Sequence, residues 1–178
     1  MKLALLSLLA AGVAGTAAAQ GAGFYGDVGY TFHSVDTGVD GLDDIDLGAL
    51  TAHGGYEFTP NLATEGELSV GIQDEDFDLG GGIDGSVSLN YLIGAYGRVQ
   101  GNITPQLQLF ARAGLVNAEL EAEADGLGSD SDSETGAGYG VGAEFTFDDL
   151  NGVRVDYTRY DIEDLESDAF TIAYKRKF

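Results

Sequence analysis

The sequence predicts an all-β fold: an eight-stranded antiparallel up-and-down transmembrane β-barrel with short turns at one end and longer acidic loops at the other. Three observations carry this. Apolar and polar residues alternate with period two through eight segments, and no segment holds a helical period over three turns. The connections between the segments alternate in length. The formal charge of −22 is unevenly divided, with bases in the alternating segments and most acids in the long connections.

The first twenty residues, MKLALLSLLAAGVAGTAAAQ, stand apart from this pattern. Lys2 gives a positive start, Leu3 to Leu9 an apolar run, and Ala17-Ala18-Ala19 the small-x-small pattern of a signal-peptidase site. Residues 1–19 are therefore expected to be a cleaved secretory signal, and residues 20–178 the barrel domain. A membrane-anchoring helix fits less well, because the stretch is short and rich in Gly and Ala, whereas spanning needs about 20 strongly apolar residues. The chain has no Cys, so disulfides add nothing to its stability outside the cytoplasm.

Eight strands follow. In GFYGDVGYTFH, Phe24, Val28, Tyr30 and Phe32 form the apolar phase, against Tyr25, Asp27, Thr31 and His33. ALTAHGGYEF sets Leu50, Ala52, Tyr56 and Phe58 against Thr51, His53 and Glu57. LATEGELSVGI sets Leu62, Leu68, Val70 and Ile72 against Glu65, Glu67 and Ser69. VSLNYLIGAYGRV sets Val87, Leu89, Tyr91, Ile93, Ala95 and Val99 against Ser88, Asn90, Tyr96 and Arg98. LQLFARAGL, AGYGVGAEFTF and GVRVDYTRY continue in the same way, with Gln108, Arg112, Glu144, Arg154 and Asp156 on the polar phase. The last strand sets Phe170, Ile172, Tyr174 and Phe178 against Thr171, Ala173, Lys175 and Lys177. Most run about 10 residues, which suits a tilted strand crossing a bilayer.

Three connections are tight, around Thr59-Pro60-Asn61, Asn102 to Pro105 and Asp148 to Gly152, with the Pro, Asn and Gly that turns favour. Four are longer, near 34–46, 73–86, 117–135 and 161–168. Short periplasmic turns and longer outer loops are the arrangement of outer-membrane barrels.

After the signal, seven bases remain (Arg98, Arg112, Arg154, Arg159, Lys175, Arg176 and Lys177), all in strands. The four long connections hold five, five, seven and five acids, 22 of 30, including Asp43 and Asp44, and no base. Hairpin pairing brings His53 near Glu67 and sets Glu144 opposite Arg154. Closing the last strand onto the first brings Asp27 near Lys175. A lone buried charge costs several kcal/mol, so an interior of this kind requires partners. The expected interior network is Asp27, His53, Glu57, Glu65, Glu67, Glu144 and Asp156 with Arg98, Arg112, Arg154 and Lys175. A soluble barrel would invert the phases.

The segments GAGFYGDVGYTF, GGYEFTPNLATEGE, YGRVQGNITPQLQLFARAG, GYGVGAEFTF and VRVDYTRYD, with the terminal Phe178, resemble the small OmpA/OmpX-type barrels of the "porin family" outer-membrane β-barrel domain. The likeness covers the whole mature chain. It implies export through the general secretory route to the outer membrane of a Gram-negative bacterium. It also implies a monomer in contact with lipid and lipopolysaccharide, delivered by periplasmic chaperones and the outer-membrane assembly machinery. In this family a terminal alternating strand ending in Phe is similar to the assembly signal, which maps here onto Phe170, Ile172, Tyr174 and Phe178.

Several functions are weighed. Eight strands leave an interior that side chains fill, and Tyr25, Tyr96, Phe110 and Tyr160 are bulky inward candidates. A structural and surface-interaction role is therefore expected, and a wide pore is not. A narrow channel for small solutes or ions is the alternative. The acidic loops offer hard oxygen ligands for divalent cations bridging to lipopolysaccharide, with Asp74, Asp76, Asp130 and Asp132 as weak candidates. A solvated, self-repelling face explains the same residues, and the spacing lacks a complete calcium loop. Some barrels of this size modify lipid A with His, Ser and an acid. Here His33, Ser34 and Asp36 lie together, but neighbours on a strand point to opposite faces, so no catalytic residue is assigned. No cofactor is expected, and a chain this acidic is repelled by nucleic acid.

Overall fold

A computed structural model of the chain describes residues 23–36, 45–73, 75–78, 84–124, 128–162 and 165–178. The expected signal, residues 1–19, lies outside them, as do Asp43, Asp44 and Asp74.

The strands are β1 (Gly23–Asp36), β2 (Ile45–Thr59), β3 (Leu62–Gln73), β4 (Glu75–Asp78), β5 (Asp84–Asn102), β6 (Leu107–Ala124), β7 (Gly128–Thr146), β8 (Asn151–Ile162) and β9 (Leu165–Lys177). They run in one antiparallel sheet of order β3-β2-β1-β9-β8-β7-β6-β5-β4. β3 also pairs with β5, from Leu62↔Val99 to Ser69↔Leu92, and this closes the sheet. β3 and the short β4 follow each other along the same side of β5, so the wall has eight positions. The seam between first and last strands is long, from Tyr25↔Lys177 to Asp36↔Glu166. Closure leaves no open edge around the barrel's waist, which a sheet in hydrocarbon requires.

Two sequence expectations need correction. The strands are longer than about 10 residues: β5 and β7 have 19 and β6 has 18. Much of the stretch near 117–135, expected as loop, continues the ladder from Asn117↔Thr135 to Ala124↔Gly128. Backbone hydrogen bonds extend a hairpin regardless of side-chain polarity. On the β7 side, 128–135 reads GSDSDSET, without the apolar alternation that marks a strand, although 118–124 opposite it, AELEAEA, keeps period two.

The second correction concerns Leu89. The sequence places it on the outward apolar phase with Ile93, but it is buried. The ladder steps from Leu89↔Leu120 to Tyr91↔Glu119, so one extra residue sits in β5 at Asn90. A bulge of this kind reverses the side-chain phase on one side of it. Leu89 therefore points inward alongside Leu92, which keeps the regular inward phase of Tyr96 and Arg98, and Asn90 bonds Glu119 through its amide.

The three tight turns share one device. Thr59, Thr104 and Asp148 each accept, through a side-chain oxygen, the N–H groups two and three residues ahead. These backbone groups lie beyond the ladder, and a short side chain satisfies them locally. Adjacent turns are tied to one another through Gln100 N–H to Asn61, Thr146 N–H to Gln106 and Lys177 N–H to Leu150.

Outside, the wall is apolar. Val28, Leu50, Val70, Ile72, Ile93, Val99, Leu115, Val141 and Ile172 are all exposed, as lipid-facing side chains must be. Near the turns, Phe24, Tyr56 and Phe58 form a run of rings with centroids 4.8 and 5.2 Å apart. Phe145 and Phe147, 5.9 Å apart, continue the band with Tyr174 and Phe178.

Candidate functional site

The interior holds the chain's unusual chemistry. Glu65, 1% exposed on β3, is its hub. Its carboxylate accepts the Tyr25 hydroxyl at 2.7 Å and lies 3.1 Å from Arg98, 3.0 Å from Arg112 and 2.8 Å from Arg154. These arginines come from β5, β6 and β8, so one side chain ties together most of the barrel's circumference. Arg154 is fully enclosed and also meets Asp27 at 3.1 Å and Asp156 at 2.6 Å. Arg112 reaches Glu67 at 2.7 Å and Asp156 at 3.3 Å. Glu144 is held by Arg98 and Lys175, each at 2.6 Å.

His53 has a carboxylate at each ring nitrogen: Asp27 at 2.6 Å from Nδ1 and Glu67 at 3.4 Å from Nε2. Nδ1 is hydrogen-bonded to Asp27, while Glu67 faces Nε2 at ion-pair distance without a hydrogen bond. The network contains five carboxylates (Asp27, Glu65, Glu67, Glu144, Asp156) and four permanent cations (Arg98, Arg112, Arg154, Lys175). Five minus four leaves one negative charge before His53, which lies between Asp27 and Glu67, is counted.

Each interior cation also lies over an aromatic ring. Arg98 is 3.9 Å from the Phe110 centroid, Arg112 is 4.4 Å from Tyr96, Arg154 is 4.7 Å from Phe110, and Lys175 is 3.8 Å from Tyr25. A ring face attracts a cation and excludes water beside it. The rings need room, and glycine provides it. A Cβ at Gly55 would overlap the Tyr25 ring, and one at Gly142 would overlap Phe110.

Of the eleven residues the sequence nominates, ten join this cluster. Glu57 stands apart at the turn end, half-buried, 3.2 Å from Lys177 and accepting Gln100 at 3.1 Å. The expected neighbours are correct as backbone register: His53↔Glu67, Glu144↔Arg154 and Asp27↔Lys175 all face each other. His53 and Glu67 also meet through their side chains, at 3.4 Å, but the other two pairs choose differently. Asp27 takes His53 and Arg154, and Lys175 crosses to Glu144. Register fixes which strands meet. Contacts across the lumen depend on side-chain reach and on barrel curvature, which pairwise alternation does not encode.

Sequence reasoning missed two features above the charges. Thr171, Thr31, Thr51 and Ser69 form a hydroxyl chain over four adjacent strands, with steps of 2.9, 2.6 and 2.7 Å. Beyond it lies an apolar cluster: Leu47, Ala49, Leu89, Leu92, Val116, Ala118, Ile162 and Ala169 with Tyr96 and Tyr160. The Thr and Ser residues were visible as a polar phase. Leu89 was hidden because the bulge at Asn90 reverses its phase, whereas Leu92 keeps the inward phase of Tyr96 and Arg98.

His33 is buried, its Nδ1 lies 3.5 Å from Ser167 Oγ, and its ring stacks against Tyr160 at 5.7 Å. It does not pair with Ser34, and Asp36 faces Glu166 in the ladder. Among the described residues, no group of three or more His, Asp or Glu is placed to hold a metal ion. Asp76 and Asp130 with Asp132 occupy backbone positions of β4 and β7. Phe170, Ile172 and Tyr174 face outward on β9, and the Phe178 N–H donates to the Phe24 carbonyl at 2.9 Å.

The chain matches the family model described as outer membrane protein beta-barrel domain over residues 3–178. No curated protein matches it significantly. Among solved structures it is similar to Ail, the attachment invasion locus protein of Yersinia pestis. That likeness has 19% identity and a TM-score of 0.67, covering 90% of this chain and 100% of that one. Neisserial surface protein A is similar at 15% identity and TM-score 0.66, over 89% and 100%. OprG of Pseudomonas aeruginosa follows at 13% and 0.59, over 89% and 96%. Ail has also been solved with the heparin analogue sucrose octasulfate. At these identities the likeness concerns the fold.

Proposed function

The chain belongs to the outer membrane protein beta-barrel domain family, and from that premise we propose that it is a structural, surface-interacting barrel of the outer membrane and not a wide pore. The observation that carries this is the filled interior: Glu65, Arg98, Arg112 and Arg154 meet across the lumen at hydrogen-bonding distances, with aromatic rings against them. Purified protein in planar bilayers is expected to show no stable nanosiemens-scale steps. Such steps would overturn the reading.

Its partners outside follow from charge. The sulfated ligand seen on Ail does not suit this chain, whose long connections carry 22 acids and no base. An acidic surface approaches lipopolysaccharide phosphates only through divalent cations, for which carboxylates are good ligands. Calcium titration by calorimetry tests that bridge, and a flat trace at millimolar metal removes it in favour of a solvated, self-repelling face. The enzymatic reading has no support in the geometry of His33 and Ser34, which are adjacent on one extended strand. Unchanged lipid A mass spectra on deletion and overexpression are expected.

The last strand has a second role in this proposal, as the address read by the assembly machinery. Deleting Phe178 is expected to lower outer-membrane levels more than it lowers the stability of barrels that do fold. Normal levels of the truncated chain would contradict it.

A further inference from the structure

The interior is layered, and each strand that reaches more than one layer keeps the same order, although β5 and β6 skip the hydroxyls and β7 adds only Glu144 and glycines. Read from the turn end, β1 presents Asp27, then Thr31, then His33. On β8 the order is Arg154 and Asp156, then Thr158, then Tyr160 and Ile162. β2 runs from His53 through Thr51 to Ala49 and Leu47, and β9 from Lys175 through Thr171 to Ala169. β6 passes from Arg112 to Val116 and Ala118, and β5 from Arg98 to Leu92 and Leu89. Charges lie nearest the turns, hydroxyls above them, and an apolar layer faces the long connections.

The two ends differ in openness. At the turn end a cavity of about 480 Å³ opens among the three turns, lined by Glu57, Asn102, Gln106, Gln108, Asp148 and Lys177 among others. At the other end Leu47, Ala49, Leu92 and Val116 are at most 3% exposed and pack on each other and on Tyr160. The polar atom of Tyr160 turns away from this layer and bonds down to Glu67. His33 stays at its level, its ring tilted 30° to that of Tyr160 with centroids 5.7 Å apart.

We propose that the interior is a dead-end polar cup, wetted from the turn side and sealed toward the loop side by the apolar layer. The inference rests on the closed-barrel reading above and says where the closure lies. An ion or water crossing from the loop side meets a mostly apolar layer, with His33 at its level, before it reaches a charge, and that desolvation is costly. The ion pairs are then a second barrier in series, shielded from the outside solution. Small polar solutes from the turn side reach Gln108 and Lys177 and stop.

The chain has no Cys, so one introduced thiol reports local water. Gln108→Cys in the cup and Thr51→Cys in the hydroxyl layer are compared in nanodiscs, using a small cationic methanethiosulfonate. Gln108→Cys is expected to react fast and Thr51→Cys slowly. Adding Leu89→Ala and Leu92→Ala to Thr51→Cys should raise its rate by at least about tenfold. Gln100→Ala, on the turn side, should leave that rate unchanged. If the double truncation lacks the folded band on an unboiled gel, Leu92→Ala alone carries the test. The proposal fails if Thr51→Cys already reacts as fast as Gln108→Cys, or if truncating the apolar layer leaves its rate unchanged. It also fails if Gln100→Ala opens the layer equally well. Nanosiemens steps from the unaltered barrel would count against the closed-barrel reading, whereas these rates locate the seal.

Discussion

Glu65 and Leu92 are almost equally buried, at 1% and 2% exposure, in two halves of one interior. Near the turns, burial is achieved by charge compensation: each side chain is tolerated because several others neutralise and hydrogen-bond it. Near the long connections, burial is achieved by packing, and each side chain contributes almost independently of charge. Burial inside this barrel therefore says nothing about hydrophobicity. The chemistry that fills the space depends on which partners the neighbouring strands supply.

The comparison is tested most severely at the hub. Glu65→Ala leaves three arginines short of a carboxylate, and breaking a buried ion cluster in this way costs about 3–5 kcal/mol. Urea unfolding in lipid vesicles, followed by the shift between folded and unfolded gel bands, measures it. A loss close to that of a surface substitution would show that water already enters the network.

Leu92→Ala probes the other half, with an expected loss of about 3 kcal/mol from lost burial and the cavity left behind. Assayed in the same way, its loss should nearly add to that of Glu65→Ala, with coupling limited to what passes through Tyr96 and Tyr160, which belong to both layers. Strong non-additivity would mean that the two halves form one unit.

Gly142→Leu should cost about 1–3 kcal/mol by forcing the Phe110 ring off the backbone it covers. Because Arg98 and Arg154 rest on that ring, the loss should shrink when Phe110→Ala is already present. Equal losses in both backgrounds would show that the ring does not need the glycine.

The smallest effect lies at the third turn. Asp148 is solvent-exposed, and hydrogen bonds from the Asn151 side chain and from the Leu150 and Asn151 backbone hold its carboxyl below its ordinary value of 3.8. A depressed folded value means that the contribution is present above the ordinary value and is lost as pH falls through the folded one. The penalty of Asp148→Ala seen at neutral pH should therefore fade on acidification below that value. A pH-independent penalty would assign the turn's stability to backbone geometry alone.

Much was legible from local chemistry. Phe24, Val28 and Phe32 against Tyr25, Asp27 and Thr31 marked a strand, its lipid face and its interior face, because period two is a property of the chain itself. The same rule located Arg98, Arg112 and Arg154 inside. It failed at Leu89, where one inserted residue reverses the phase, and over 128–135, where GSDSDSET is polar at nearly every position and the ladder continues unmarked opposite the alternating AELEAEA of 118–124.

The sequence alone determined the eight alternating strands, the closing of β9 on β1 and the identity of the charges that must share the interior. Those follow from spacing and from the cost of leaving a charge alone in a low-dielectric space. Only the tertiary structure decided that Lys175 serves Glu144 instead of its ladder neighbour Asp27, that Glu65 gathers three arginines, and that an apolar layer caps the hydroxyls. Those outcomes depend on distances across the lumen, and these exist only once curvature and register bring distant strands face to face.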